Sequence, residues 1–262
     1  MQAAGRDSFD ALMGAQSDID LHKAGLADWR QRIQLTVPLG GRPCTLFLKR
    51  YRRPPMDQQV NQRLAGWRDT AAMEWHWLTR LSELGIGAPV PVAYGARRSC
   101  LREQASLVIT AAVPGVSLEK WVPAQIDSTL ADRAFKNKLS GALANLISKL
   151  HGRRLIHRDL YLAHVFLDTT DLDSPTLTLI DLQRMIRPRL RWQRWVVKDL
   201  LALNYSTPVD AASTTDRVRW FKLYGGITRL SDADKKLIRA IAGKTRRVAR
   251  HDANRNARLS DV

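Results

Sequence analysis

The chain has 262 residues, 45% hydrophobic and 26% charged; that is enough for one large domain or two small lobes and too apolar for a largely disordered chain. Forty-two Lys and Arg against 25 Asp and Glu give a formal charge of +17, which suits phosphate-rich partners (nucleic acid, anionic membrane or phosphorylated glycolipid) without choosing among them. Two cysteines, Cys44 and Cys100, exclude a disulfide framework and read as reduced thiols. The first residues lack a basic start followed by an apolar run, and no apolar stretch reaches the ~18 residues that span a bilayer, so a soluble or peripheral protein is expected.

In chain order, residues 1–20 are polar and predict a tail or a short helix. From Trp29 the pattern has period two: Ile33, Leu35 and Val37 alternate with Arg32, Gln34 and Thr36, as in a half-buried strand. Pro38 to Pro43 reads as a turn and Cys44 to Tyr51 as the second strand of a hairpin, with Leu46 and Leu48 on one face and Phe47 and Lys49 on the other. After the break at Arg52 to Pro55, Met73, Trp77, Leu81 and Leu84 predict a helix over about 69–84 that ends at Gly85, with Glu74 at the edge of its apolar stripe. Pro89 to Tyr94 and Leu107 to Thr110 predict further strands, and Pro114-Gly115 marks the lobe boundary. Beyond it, Asp127 or Ser128 is expected to cap a helix carrying Leu139, Leu143, Leu146, Ile147 and Leu150 and closed by Gly152. Two short apolar strands, Val165 to Leu167 and Leu177 to Ile180, flank an acidic loop that reads as a solvated turn. From Trp192 the pattern is mostly helical and ends in a basic tail, Lys244 to Arg258. Strands first and helices later predict an α+β chain: a tail over 1–20, a lobe over 21–113 and a second lobe over 114–262.

The chemistry concentrates in Leu155 to Leu167, where Asp159 stands on a loop between apolar pieces with His164 five residues on, and in Ile180-Asp181-Leu182, a second aspartate at a strand end. Phosphoryl transfer needs one carboxylate to orient a hydroxyl and take its proton and another to hold Mg²⁺. An upstream strand lysine paired with a helical glutamate grips the phosphates, and Lys49 and Glu74 stand in that order.

His157-Arg158-Asp159 resembles the catalytic loop of protein-kinase-like enzymes, and Asp181-Leu182-Gln183 a variant of their metal-binding Asp-Phe-Gly. More closely, Phe47 to Tyr51, Glu74-Trp75 with Leu84-Gly85, Pro89 to Gly95, His157 to Tyr161 with His164, Leu179 to Arg184 and Lys198 to Leu203 are similar to the lipopolysaccharide kinases of bacterial inner-core assembly, the Kdo/WaaP family. The resemblance implies a protein-kinase-like two-lobed α+β fold, with a small antiparallel-sheet N-lobe carrying one helix and a mainly helical C-lobe. It implies transfer of the ATP γ-phosphate to a heptose or Kdo hydroxyl of the lipopolysaccharide core at the inner face of the cytoplasmic membrane. It makes Asp159 the catalytic base, Asp181 a Mg²⁺ ligand, Lys49 the phosphate clamp and Glu74 its partner. Thr110, Ala112 and Val113 become the hinge that hydrogen-bonds adenine, and Asp199 the buried brace under the catalytic loop.

Three features depart from protein kinases. His164 stands where they place a metal-binding Asn, and imidazole is softer than Mg²⁺ prefers. No glycine-rich loop precedes the Trp29 strand; only Gly25 is near. Seventeen residues separate Asp181 from Asp199, with no Ala-Pro-Glu, which favours a glycolipid or small-molecule hydroxyl over a protein acceptor. That segment carries Arg184, Arg187, Arg189, Arg191, Arg194 and Lys198 with no acid, interleaved with Trp192 and Trp195, a combination suited to a phosphorylated sugar. The basic C-terminal tail suits an anionic membrane surface; no specific nucleic acid is expected. Two rival readings are a kinase for another small-molecule or protein hydroxyl, and an inactive kinase-like scaffold that binds anionic lipid.

Overall fold

The structure, a computed structural model, describes residues 8–16, 19–21, 27–100, 102–126 and 133–260, with backbone alone at 19–20, 125–126 and 255–260. Gly25 and the expected cap at Asp127 or Ser128 lie outside the described residues. The chain forms two compact units, one of residues 1–113 with 181–183 and one of 114–180 with 184–262.

The first unit is built on an antiparallel sheet: β1 (Ile19–Asp20), β2 (Arg30–Leu39), β3 (Arg42–Arg52), β4 (Pro91–Ser99) and β5 (Arg102–Ala111), in the order β1-β2-β3-β5-β4. The β2–β3 turn is tighter than the sequence suggests. Pro38 pairs with Pro43 inside the ladder, and the two-residue loop is Gly40-Gly41 alone, with φ of 57° and 77°. Both values are left-handed, as a turn matching strand twist requires. The prolines are tolerated because their pair lies one step from the closing hydrogen-bonded pair, Leu39 and Arg42, where backbone N–H groups point away from the partner strand.

One sheet face buries Ile33, Leu35, Val37, Leu46, Leu48, Leu107 and Ile109 under α1 (Phe9–Gly14), whose Leu12 and Met13 press into it. Of the stretch expected as a tail or a short helix, Phe9–Gly14 is a helix of the core and Ile19–Asp20 a strand. Ser8 caps its amino end, accepting from Ala11 N. Arg50, only 3% exposed, closes its carboxyl end by donating from Nη1 to the carbonyls of Leu12 (3.1 Å), Met13 (2.7 Å) and Ala15 (2.9 Å). The last carbonyls of a helix carry partial negative charge, so a buried guanidinium finds both acceptors and counter-charge there.

The opposite face receives α3 (Thr70–Glu83). Asp69 caps it through Ala72 N at 2.8 Å, and Gly85, φ 64°, ends it with Ile86 N bonded back to Leu81 O. A further helix, α2 (Met56–Leu64), fills the interval that reads as a break. Its buried Gln59 donates to Pro54 O and accepts from Glu103 N, stitching the helix to β5. Among the described residues, α1 and α2 thus accompany this sheet in addition to the expected α3.

In the second unit a small sheet, β6 (Val116–Ser117), β7 (Val165–Asp168) and β8 (Thr176–Leu179), accompanies α4 (Leu118–Ile126), α5 (Arg133–Gly152), α6 (Trp192–Ser206), α7 (Thr214–Gly225) and α8 (Asp232–Ser260). The chain leaves α5 through Arg154, φ 57°, with Leu155 N bonded to Leu150 O, so the left-handed residue is an arginine two places after the expected Gly152. The acidic loop after β7 is a self-bonded turn, with Asp168 accepting from Thr170 and Asp171 from Asp173 and Ser174. Gly115 lies against β7: a Cβ there would stand 1.8 Å from Leu167 O, at a φ of 87°.

Two stability changes follow. Arg50→Met should lower the urea midpoint by the equivalent of about 2 kcal/mol or more, since charged donors to buried carbonyls are lost; an unchanged midpoint would mean that apolar contacts alone hold α1. Gly115→Ala should cost about 3 kcal/mol or more, or prevent folding, because the clash is with backbone and the torsion is strained; wild-type melting would contradict that close approach.

Candidate active site

In the first unit, β3 alternation turns Lys49 and Tyr51 away from α1. The Lys49 ammonium lies 2.6 Å from Glu74 Oε1 on α3 and 3.0 Å from Asp181 Oδ1. Arg32, directly across the ladder from Lys49, places Nη2 3.4 Å from Asp181 Oδ2. The Tyr51 hydroxyl donates to Gln183 Oε1 at 3.4 Å. Lys49 is 19% exposed and Glu74 3%. Burial alone would pull the lysine pKa down, but the Glu74 and Asp181 carboxylates outweigh it and raise it, so the ammonium stays charged. Burial and the neighbouring Glu74 likewise raise Tyr51 and keep its phenol protonated. The result is a pair of acids held by two cations on a sheet face. It is a charge array that a polyphosphate can enter, because each cation already has fixed geometry.

Asp181 itself has φ 60°, an uncommon conformation for a non-glycine residue that turns the carboxylate into this array. Among the hinge residues, Thr110 sits opposite Phe47 on β3, and the Ala112 amide already donates to Thr45 O at 2.9 Å. The Ala112 N–H is thus already engaged within the sheet, and its carbonyl is the backbone group it has left to offer.

In the second unit the loop His157 to His164 is fastened from beneath. Asp199 on α6, fully buried, accepts from His157 N and Arg158 N, both at 2.8 Å, and lies 3.3 Å from His151 Nε2. His151 Nδ1 lies 2.7 Å from the Tyr224 hydroxyl, whose pKa burial pushes up to about 12. Arg158 takes φ 72° in this loop, a torsion the two amide bonds to Asp199 hold in place. The buried His157 donates from Nε2 to Ile180 O at 3.0 Å, which fixes its tautomer, since a carbonyl can only accept. His164 likewise donates from Nδ1 to Asp159 O at 2.7 Å, and its carbonyl accepts from Ile180 N. The Asp159 carboxylate, 19% exposed, receives Arg184 Nη1 on Oδ1 at 2.8 Å.

The basic run divides. Arg184 is drawn to Asp159, while Arg187, Arg189 and Arg191 are exposed with no carboxylate partner among the described residues. Trp192 lies beneath the Arg154 guanidinium (5.2 Å) and edge-on to His151, and Trp195 carries Arg158 (5.3 Å) and Lys198 (4.8 Å). These indoles therefore pack against the catalytic loop and the end of α5. Arg32 and the Arg184 contact escaped sequence reasoning. The hairpin register that sets Arg32 across from Lys49 is the signal that could have found the first.

Among the described residues, no group of three or more His, Cys, Asp or Glu side chains is arranged to hold a metal ion. Mg²⁺ does not need one, since it binds through one or two carboxylates together with substrate phosphates. The Asp181 carboxylate is a hard oxygen donor of the required kind.

Comparison with known proteins bears directly on this arrangement. The profile of the family described as "Lipopolysaccharide kinase (Kdo/WaaP) family" matches residues 42–224. The chain is 32% identical over 158 residues to the lipopolysaccharide core heptose(I) kinase WaaP of Pseudomonas aeruginosa, covering 59% of each chain. It is 29% identical over 185 residues to the protein of that name from Escherichia coli K12, covering 68% of this chain and 69% of that one. The match thus spans 59% of the Pseudomonas relative's length. A solved structure described as WaaP in complex with acyl carrier protein is similar at 25% identity and a TM-score of 0.71, over 93% of both chains. The α+β fold, the matched profile and the homologous kinases agree: this chain belongs to the lipopolysaccharide kinase (Kdo/WaaP) family.

Proposed function

We propose that the protein is an ATP-dependent kinase that transfers the γ-phosphate to a sugar hydroxyl, heptose or Kdo, of the lipopolysaccharide inner core. The observation that carries this reading is the Lys49 ammonium held between the Glu74 and Asp181 carboxylates, an array whose use in phosphate binding is well defined physically. Lys49 grips the α- and β-phosphates, and Glu74 keeps it aimed. Thr110 and Val113 supply backbone groups to adenine. Asp181, with His164 as a weaker candidate, would hold Mg²⁺; that ion, when bound, neutralises charge on the phosphate oxygens. Asp159 orients the acceptor hydroxyl and receives its proton. Asp199 and His157 keep the loop in shape. Catalysis is positioning and charge neutralisation rather than covalent chemistry.

Arg187, Arg189 and Arg191 suit the phosphate groups of an acidic glycolipid. No described helix is long and apolar enough to cross a membrane, so a lipid-anchored acceptor would be met at the bilayer surface. Helix α8 fits that role: Lys235, Lys236, Arg239, Arg246, Arg247 and Arg250 are all exposed. At 100° per residue they fall within a sector of about 120°, and each is worth about 1 kcal/mol beside anionic lipid.

The neighbouring WaaP complex suggests a protein partner as well. The second unit carries an open cavity of about 1130 Å³ among α4 to α8, with Leu143, Leu200, Leu203, Phe221, Ile238 and Ile241 along its wall beside polar residues such as Asn137 and Arg217. An acidic carrier bearing an acyl chain would match both the apolar part of that cavity and the +17 charge. The acylated carrier should bind more tightly than the bare one, and more weakly as salt rises. Equal affinity for both in isothermal titration would remove the cavity from the account.

The function is tested by incubating the protein with γ-labelled ATP and core lipopolysaccharide stripped of core phosphate, then locating the label by mass spectrometry. Label appearing only on added protein substrates would refute the glycolipid assignment. Asp159→Asn should lower the transfer rate by ~10³-fold or more, with nucleotide affinity within about threefold of wild type. Lys49→Met should instead weaken nucleotide binding and lower the melting temperature, since it strands two carboxylates beside each other. Full nucleotide affinity in Lys49→Met would refute the clamp.

A further inference from the structure

The pairing of Arg184 with Asp159 has no counterpart in the expectation that Arg184 binds acceptor phosphate. Its guanidinium meets Oδ1 of the proposed base at 2.8 Å. After Asp159 no Lys or Arg occurs until Arg184. The nearer arginine, Arg158, is committed to the Trp195 face. Among the described residues, Arg184 is therefore the one cation bonded to this carboxylate.

Its backbone is also fixed. Leu182 and Met185 are buried, and Ile186 exchanges both backbone hydrogen bonds with Ile156, one residue before the catalytic loop. Arg184 and Asp159 thus stand two and three residues from the two ends of one backbone bridge, Ile186 and Ile156. Among the described residues Arg187, Arg189 and Arg191 reach no carboxylate, so the contact is particular to this position rather than a property of the basic run.

We propose that Arg184 is the arginine, supplied in cis, that stabilises the transferring phosphoryl group, and that its bond to Asp159 is its resting position. This inference rests on Asp159 being the base. An acceptor oxygen hydrogen-bonded to Asp159 lies about 2.6–3.2 Å from the carboxylate, and the attacked phosphorus about 3–3.5 Å beyond that oxygen. The equatorial phosphoryl oxygens then fall within one side-chain adjustment of Arg184, which has five N–H donors and spends one on Oδ1. In the step, the hydroxyl proton passes to Asp159 and the acceptor oxygen forms its bond to Pγ. The bond from Pγ to the β,γ-bridging oxygen breaks, and its electron pair leaves on ADP. Arg184 donates to the equatorial oxygens as their charge redistributes, and afterwards returns to the carboxylate. Being 52% exposed at the side chain, it can make that excursion without breaking core contacts.

The test compares Arg184→Lys, Arg184→Gln and Arg184→Ala with wild type and with Asp159→Asn, in transfer to dephosphorylated core lipopolysaccharide and in acceptor-free ATP hydrolysis. Cis and trans arginines of this kind are worth ~10³–10⁵ in rate, so Gln and Ala should lose on the order of 10³-fold in kcat in both assays. KM for ATP and acceptor should stay within about threefold and melting should be unchanged, while Lys recovers only part of the rate. Added guanidinium should partly rescue Arg184→Ala. A raised acceptor KM at wild-type kcat would make Arg184 an acceptor-binding residue and overturn the inference, as would loss confined to transfer with hydrolysis intact. If Asp159→Asn is inactive while Arg184→Ala keeps its kcat, the arginine assignment alone fails; if Asp159→Asn is fully active, the base assignment fails and takes this inference with it.

Discussion

A positive charge out of bulk water is tolerable only where counter-charges surround it, and Lys49 meets that condition with carboxylates from two distant parts of the chain. Glu74 reaches it from a helix whose amino end is fixed by Asp69 and whose carboxyl end is fixed by Gly85. Asp181 reaches it from a three-residue segment, 181–183, that belongs to the first unit although its neighbours on both sides belong to the second. The ammonium is thus both a site component and the ionic fastening that holds this excursion of the chain in the first unit. Removing any one of the three groups leaves an uncompensated charge, so the array tolerates little variation in composition.

The second unit is organised by the reverse polarity. Asp199 is a buried carboxylate with backbone N–H groups aimed at it, and these bonds oblige Arg158 to take a left-handed torsion. His157, Ile180 and His164 extend the same lattice of bonds. A loop so constrained keeps Asp159 in place before any substrate arrives, which is the preorganisation that electrostatic catalysis requires.

Much of this was legible in the residues. Period-two alternation over β2 and β3 placed Leu46 and Leu48 on one face and Lys49 on the other, and the helical stripe ending at Gly85 set the bounds of α3 closely. The order lysine, glutamate, HRD and Ile-Asp-Leu led to the expectation that Lys49, Glu74, Asp159 and Asp181 share one site, and within the first unit Lys49 contacts both Glu74 and Asp181. What stayed hidden has physical causes. α1 and α2 are short, and each is tied to a residue distant in the chain, α1 to Arg50 on β3 and α2 through its own Gln59 to Glu103 on β5, a tertiary effect that no local pattern encodes. Left-handed torsions fall on Arg154, Arg158, Asp181 and Arg191, where glycine is the usual signal. Charge runs do not reveal their partners, so Arg184 could not be separated from Arg187 or Arg189 before its carboxylate was seen.

The seating of α1 beneath the Arg50 guanidinium has a practical corollary for handling the molecule. Helix α1 (Phe9–Gly14) stands as a structural wedge between solvent and a sheet face of isoleucines, leucines and valines. Proteolytic trimming into it would uncover a sticky surface and invite aggregation. Affinity tags are thus better joined upstream through a flexible spacer than substituted for Phe9–Gly14.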